Sequence, residues 1–231
     1  MSSPVVTASA TGVASFNDHI DVTIDCTGTN GLLLCFLSGY TPGQPTGTPT
    51  YNGSNLTALI ASAGAFQQGF GGDTQLWYMV NPPAGSHTLH STNANAGSPR
   101  EVCIAVFVTG ANQSTPFGTS NSTNFYSASN AFQDISGTNT TDLVIGFLGH
   151  IGSDVTSFSE DGGATSVTTV SDNNTPWSRC STLAGTGGTV TMSWTGYAGD
   201  PSVVIAAAIK TASSAPATGV GPALMALGLG A

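Results

Sequence analysis

The sequence predicts an all-β fold, an antiparallel two-sheet β-sandwich with a jelly-roll-like course. Residues 20–25 and 189–195 alternate apolar and polar side chains, as half-buried strands do. Apolar runs of strand length recur between turn residues at 32–37, 101–108, 142–150 and 202–210. No segment before residue 211 combines a helical period with helix caps, so we expect almost no helix.

Further strands are predicted between these runs. Asn52 and Gly53 predict a hairpin turn, because both residues tolerate a positive φ. Pro82 and Pro83 end an aromatic strand at 75–80, since proline cannot donate to a ladder. The other predicted strands are residues 56–62, 87–92, 155–158, 165–170 and 177–183. Residues 109–130 are polar and indicate a long connection of the kind that often binds ligands.

The two halves of the chain echo each other. The apolar run at 32–39 resembles the run at 143–150, and the run at 102–109 resembles the run at 203–210. This repetition favours a duplicated Greek key, from which jelly rolls are built. The alternative is that any sandwich repeats buried strands without being duplicated.

The predicted organisation is an N-terminal arm at 1–18, a single β-sandwich domain at 19–210, and a linker with an apolar tail at 211–231. The tail is uncharged, although the predicted surface is small and polar. We expect it to dock on its own domain or on a neighbouring subunit. The candidate partner-binding residues are Leu224, Met225, Leu227 and Leu229.

The charge balance excludes several classes of partner. Three basic residues face twelve acidic ones, for a net charge of −9, and only 6% of residues are charged. Nucleic acids and anionic membranes are recognised by clustered Lys or Arg, which this chain lacks. No apolar run reaches the 18 or more residues of a membrane span. Because 39% of the residues are hydrophobic and fall in runs, the chain is expected to fold.

Candidate metal and redox residues are few. The four histidines, His19, His87, His90 and His150, are expected on the surface or in loops, and His87 and His90 on opposite faces of a strand. The cysteines, Cys26, Cys35, Cys103 and Cys180, lack zinc-site spacing and are expected to be free, buried thiols.

Catalytic signatures are missing from the sequence. No nucleophile elbow, phosphate loop or close pair of carboxylates is visible, so we expect neither catalysis nor a cofactor. Glu160 and Asp161, followed by two glycines, are compatible with calcium binding or with a solvated turn. Five aromatic residues suit either a sugar-stacking platform or the core: Trp77, Tyr78, Trp177, Trp194 and Tyr197.

A family resemblance adds to these observations. It rests on Thr50-Tyr51-Asn52-Gly53 with Leu56-Thr57, on Leu76-Trp77-Tyr78 with Pro82-Pro83-Ala84-Gly85, and on a closing apolar strand ending in Lys210. This pattern resembles β-sandwich structural proteins of tailed bacteriophage virions, such as capsid decoration (cement) and head-fibre proteins.

The resemblance implies a non-enzymatic virion protein that binds and stabilises the capsid shell. Its implied partners are the major capsid protein or other virion subunits, in a homo-oligomer or symmetric assembly. The chain shows no secretory signal at its start, which fits synthesis in host cytoplasm and exposure on the particle exterior. One alternative is a carbohydrate- or receptor-binding β-sandwich module of a phage fibre or tail or of a bacterial surface, with a glycan as partner. The other is a secreted or virion-bound glycan hydrolase.

Overall fold

A computed structural model of the protein describes residues 3–15, 19–40, 47–62, 72–92, 100–125, 130–150, 159–171, 177–195 and 201–213. These residues form seventeen strands and no helix. The first half contains β1 Val5–Ser15, β2 His19–Asp25, β3 Leu32–Tyr40, β4 Thr50–Tyr51, β5 Ser54–Asn55, β6 Thr57–Ile60, β7 Gly72–Val80, β8 Ser86–Thr92 and β9 Arg100–Thr109. The second half contains β10 Phe117–Phe125, β11 Asn130–Ile135, β12 Leu143–His150, β13 Ser159–Glu160, β14 Thr165–Ser171, β15 Trp177–Ala184, β16 Val190–Thr195 and β17 Ser202–Ile209.

The strands form four sheets. The first inner sheet has the order β1-β9-β3-β7-β6, and the first outer sheet has the order β2-β8-β4-β5. The second inner sheet has the order β10-β17-β12-β15-β14, and the second outer sheet has the order β11-β16-β13. Every pairing between these strands is antiparallel.

Three apolar cores separate the four sheets. Alternate residues of β3 divide between two of them: Leu34 and Phe36 face the second inner sheet, whereas Leu33 and Cys35 face the first outer sheet. A third core lies between the second inner and second outer sheets and surrounds Trp194. The molecule is therefore a stack of outer, inner, inner and outer sheets. The central inner strands β3, β9, β12 and β17 are covered on both faces, so their sequences are nearly continuous apolar runs.

The two halves repeat the same strand order. If β1 corresponds to β10, β3 to β12, β7 to β15 and β9 to β17, both inner sheets read identically from edge to edge. Irregularities recur at matching places. The edge strand β6 slips register between Ala58 and Ile60, and its counterpart β14 slips between Ser166 and Thr168. The apolar runs that echo each other in the sequence thus occupy equivalent positions.

The inner sheets meet through equivalent residues. Phe36 of β3 stacks on Phe147 of β12, with ring centroids 5.0 Å apart and planes 8° apart. Two residues further along each strand, Gly149 of β12 packs against Ser38 of β3. A Cβ added to Gly149 would lie only 2.9 Å from Ser38 Oγ. Because both matched pairs are in contact, β3 and β12 run in the same direction and finish at the same end of the molecule.

The all-β sandwich prediction is confirmed, but the number of sheets is four rather than two. The two halves do not share sheets. The outer sheet β2-β8-β4-β5 comes entirely from the first half, and the outer sheet β11-β16-β13 comes entirely from the second. The predicted hairpin turn is also present, with φ of 48° at Asn52 and 75° at Gly53.

Two segments predicted to be irregular are strands. The predicted arm at 1–18 contains β1, an edge strand paired along its length with β9. The predicted connection at 109–130 contains β10, the matching edge strand paired with β17. Their Ser, Thr and Gly content concealed them, because an edge strand needs few apolar side chains. The predicted strand at 155–158 lies outside the described residues.

We predict that Phe36→Ala and Phe147→Ala each destabilise the protein by about 3–5 kcal/mol, the range for buried phenylalanine truncation. The double variant should lose less than the sum, by about 1 kcal/mol, because the stacked pair is counted twice in the single variants. Urea denaturation measures all three free energies of unfolding. Phe132→Ala is the control, since Phe132 is 47% exposed and should change stability little. Fully additive losses would contradict direct coupling of the inner sheets.

Candidate functional surfaces

Most buried polar residues gather at one end of the molecule. We call it the polar end: it is where β3 and β12 finish and where β7, β9, β15 and β17 begin. The buried polar side chains within the last three rows of these inner strands, and of the adjoining β8, are Ser38, Asp73, Thr74, Ser91, Glu101, His150, Ser178 and Ser202.

Two buried carboxylates share a row at the polar end. Gly39 pairs with Asp73 on one side and with Glu101 on the other. Their Cα atoms are therefore two strand spacings apart, roughly 10 Å, with only a glycine between them. No local sequence pattern indicates this arrangement, because the residues lie on different strands.

Hydrogen bonds hold both carboxylates within the core. Asp73 accepts from Ser62 Oγ at 2.7 Å, from the Thr74 amide at 2.9 Å and from Gln75 Nε2 at 2.9 Å. Glu101 lies 3.4 Å from Ser91 Oγ. Three donors on Asp73 make it a structural acceptor that ties β7 to the segment after β6.

In the second half, His150 is the counterpart of Gly39 and pairs with Trp177 on one side and with Ser202 on the other. Its side chain lies between the inner and outer sheets. Its Nδ1 lies 3.0 Å from Ser202 Oγ, and the residue is buried. Burial lowers the pKa of His150 to about 4, because an imidazolium would lose its hydration there. The prediction of a surface or loop histidine is wrong for His150: the residue ends an inner strand that is covered on both faces.

Three hydroxyls face one another between the inner sheets at the polar end. Ser38 pairs with Thr74 in one sheet, and Gly149 pairs with Ser178 in the other. Ser38 Oγ, Thr74 Oγ1 and Ser178 Oγ are buried and have no hydrogen-bond partner among the described residues. Burying hydroxyls without partners costs stability, so these side chains are not explained by the stability of the shared core.

The other histidines lie on the first outer sheet. His90 Nδ1 is 2.7 Å from Asp21 Oδ1, and His19 Nε2 is 3.8 Å from Asp21 Oδ2. His87 lies on the opposite face of β8, against Tyr51, as predicted. Within the described ranges, no group of three or more His, Cys, Asp or Glu side chains is arranged to hold a metal ion.

Glu160, one of the two residues considered as calcium ligands, forms an ion pair with Arg179. Glu160 Oε1 lies 2.5 Å from Arg179 Nε, and Glu160 Oε2 accepts from Arg179 Nη2 at 2.8 Å. Burial acts to raise the pKa of Glu160. Hydrogen bonds from its own amide, Ser181 and Ser166, together with the charge of Arg179, outweigh burial and lower that pKa. Asp161 accepts hydrogen bonds from two hydroxyls of β16, so both carboxylates already have protein donors.

The aromatic residues considered for sugar stacking pack inside. Trp194 and Trp177 are buried in the core of the second half. Trp77 and Tyr78 are partly buried and pack against the two cores that flank the first inner sheet. Trp77 also donates to Gln75 Oε1 at 2.8 Å. These four residues support the core interpretation, and Tyr197 lies outside the described residues.

The four cysteines are free and buried. Cys35 and Cys103 are neighbours on β3 and β9, with their sulfur atoms 3.9 Å apart. Burial raises the pKa of Cys35 and of Cys180 well above the usual thiol value. The thiols of Cys35 and Cys180 are therefore protonated, weak nucleophiles.

One flank of the molecule carries an open groove between the two inner sheets. We call it the flank groove. It encloses about 490 Å³ between the first residues of β1 and the edge of the second inner sheet. Its lining residues are Pro4, Val5, Val6, Thr7, Ala8, Ser9, Leu143, Thr165, Ser166, Val167 and Thr182. A second cavity of about 360 Å³ shares Leu143, Thr165 and Thr182 with it and extends to Asp142.

The four tail residues predicted to bind a partner, Leu224, Met225, Leu227 and Leu229, lie outside the described residues, and their role stays a prediction. Comparisons with protein-family models, with curated proteins and with solved structures found no match to this chain. In the part of the chain that the structure describes, no helix is long and apolar enough to cross a membrane.

We predict that the protein loses stability as the pH falls from 6.5 towards 4. The unfolded imidazole of His150 binds a proton near pH 6.5, whereas the folded one does so only near pH 4. The unfolded state therefore gains protons first, which costs up to about 3 kcal/mol across this window. His150→Gln should flatten the curve of unfolding free energy against pH, and the control His87→Gln should not. An unchanged slope in His150→Gln would contradict the assignment.

A second prediction concerns the ion pair. Arg179→Met should destabilise the protein by about 3 kcal/mol, because it leaves the largely buried carboxylate of Glu160 without its charge partner. Adding Glu160→Leu should recover part of this loss, since the unpaired charge is then gone.

Thermal melts with and without millimolar Ca²⁺ measure whether the same residues bind a cation. We expect no shift in Tm; a calcium-dependent rise that Glu160→Leu abolishes would identify a cation site instead.

Proposed function

We propose that the protein is a non-enzymatic structural component of a tailed-phage virion, a capsid decoration protein that binds and stabilises the shell. The observation that carries the proposal is the apolar joint between the inner sheets. It unites two sandwiches into one four-layer block. A block of this kind suits a protein whose task is mechanical.

The chemistry of the remaining residues supports the same role. The carboxylates of Asp73, Glu160 and Asp161 already accept protein hydrogen bonds. The few charged residues leave a surface of Ser, Thr, Asn and Gly. Contacts made by such a surface depend little on ionic strength, which suits a particle exterior.

The strand orders support a jelly roll in each half. In the first half the chain passes from the inner to the outer sheet between β1 and β2, and returns between β2 and β3. The second half does the same between β10, β11 and β12. This alternation is expected when Greek keys are wound across two sheets, so the duplicated Greek key belongs to the proposal.

A carbohydrate- or receptor-binding module is the second candidate. The polar end favours it, because sandwiches bind ligands at the ends of their strands. Its buried hydroxyls and carboxylates make the polar end the more hydrophilic end of the three cores. Saturable binding to a glycan array would support this alternative.

The virion proposal predicts that the protein co-purifies with phage particles. Particles from a lysate would be banded on a density gradient and labelled with immunogold against this chain. We expect regular labelling of the capsid. Particles from a strain with the gene deleted should release DNA at a lower temperature, and added recombinant protein should restore the normal temperature. Particles that never contain the protein would refute the proposal.

A further inference from the structure

The flank groove has a filled counterpart on the opposite side of the molecule. The repeat that relates the two halves places β1 and β14 on one flank and β10 and β6 on the other. On the opposite flank, Tyr78 and Phe117 make an edge-to-face contact with ring centroids 4.9 Å apart. That contact bridges the two inner sheets, and both rings pack against the core that the sheets share.

The strand pairings of the two halves show which residues of the flank groove are equivalent to Tyr78 and Phe117. Val6 pairs with Val108 as Phe117 pairs with Ile209, so Val6 is the counterpart of Phe117. Thr182 pairs with Ile145 as Tyr78 pairs with Leu34, and Ile145 and Leu34 are themselves equivalent. Thr182 is therefore the counterpart of Tyr78. Both Val6 and Thr182 line the flank groove, which is open because two small residues replace two rings.

The described chain ends beside this groove. Thr211, just after β17, donates its hydroxyl to the carbonyl of Thr141. The next residue after Thr141 is Asp142, which lines the second cavity together with Leu143. Eighteen residues, 214–231, follow the described part of the chain. At roughly 3.3 Å per extended residue, residues 214–222 can reach any part of the groove, on the same molecule or on an adjacent one.

The last residues of the chain match the groove in chemistry. Residues 223–231 carry no charge and read Ala-Leu-Met-Ala-Leu-Gly-Leu-Gly-Ala. In an extended conformation Met225, Leu227 and Leu229 share one face, and Leu224 lies on the other face with the small residues Ala226 and Gly228. Among the described strands, β1 lies at the edge of the first inner sheet beside the groove, and an edge strand can pair with an added strand. One face would fill the apolar space, and the small residues would allow close approach.

We infer that the flank groove binds the apolar segment 223–231 of this chain, whose large side chains take the place that Tyr78 and Phe117 fill on the other flank. The inference deepens the proposed function, because a tail delivered to a neighbouring copy links subunits. The groove contact itself is the same whether the segment comes from its own molecule or from a neighbour.

The test uses the protein truncated after Gly221 and a synthetic peptide of residues 222–231, with a fluorophore and a solubilising tag at its amino end. Fluorescence anisotropy should show saturable binding to the truncated protein. Val6→Phe with Thr182→Tyr rebuilds the filled flank and should weaken binding at least tenfold. Val6→Asp places a charge in the groove and should do the same if the double variant fails to fold.

The matched control is Val13→Phe, the same substitution on the same strand but outside the residues that line the groove. It should leave peptide affinity within twofold of the unsubstituted truncated protein. Absence of saturable binding would overturn the inference. Equal affinity of the filled-groove and unsubstituted proteins would also overturn it.

Sedimentation of the full-length protein separates the inference from the proposed function. A concentration-dependent oligomer that Val6→Phe with Thr182→Tyr dissociates supports both. A monomer at every concentration, with peptide binding still lost in the filled-groove variant, supports the groove and overturns the tail as a link between subunits.

Discussion

Contact between the two inner sheets is the constraint on which the rest of the structure depends. Each inner sheet is covered on one face by its own outer sheet and on the other by its counterpart. Its central strands must therefore be apolar at nearly every position. Phe36 and Phe147 stack where the halves meet, and the fully buried runs of β3, β9, β12 and β17 surround them. Replacing any buried apolar residue of these runs with a charged one would destabilise the protein, because the new charge would lie in a core away from water.

Repetition of one scaffold makes the differences between the halves informative. The same strand order and the same register slips appear twice, yet one flank is filled by aromatic rings and the other is open. At the polar end, Asp73 and Glu101 in one half correspond to Trp177 and Ser202 in the other. The fold requires none of these differences, because both versions pack against an equivalent scaffold. Such positions are free to acquire a binding role.

The small number of charged residues also has a structural use. Arg179, one of three basic residues, is committed to Glu160 within a partly buried network. Hydroxyls take over much of the hydrogen bonding that charged side chains perform elsewhere, as in the contacts of Thr138, Ser181 and Thr195. With only three basic residues, the chain offers little positive charge to steer an anionic partner. The flank groove is lined by valine, threonine and other uncharged residues.

The sequence by itself determined the class of fold, the inner strands and their turns, because burial on two faces leaves continuous apolar runs and because Asn52 and Gly53 mark a turn. The echo between residues 32–39 and 143–150 suggested that the two halves correspond, and the matching strand orders show that these runs are equivalent strands. The sequence patterns missed β1 and β10, since edge strands need little apolar character. Only the tertiary structure revealed the four-layer stack, the burial of His150, the alignment of Asp73 with Glu101 and the flank groove. Each of these depends on which strands become neighbours, and antiparallel pairing joins residues that local sequence patterns treat as unrelated.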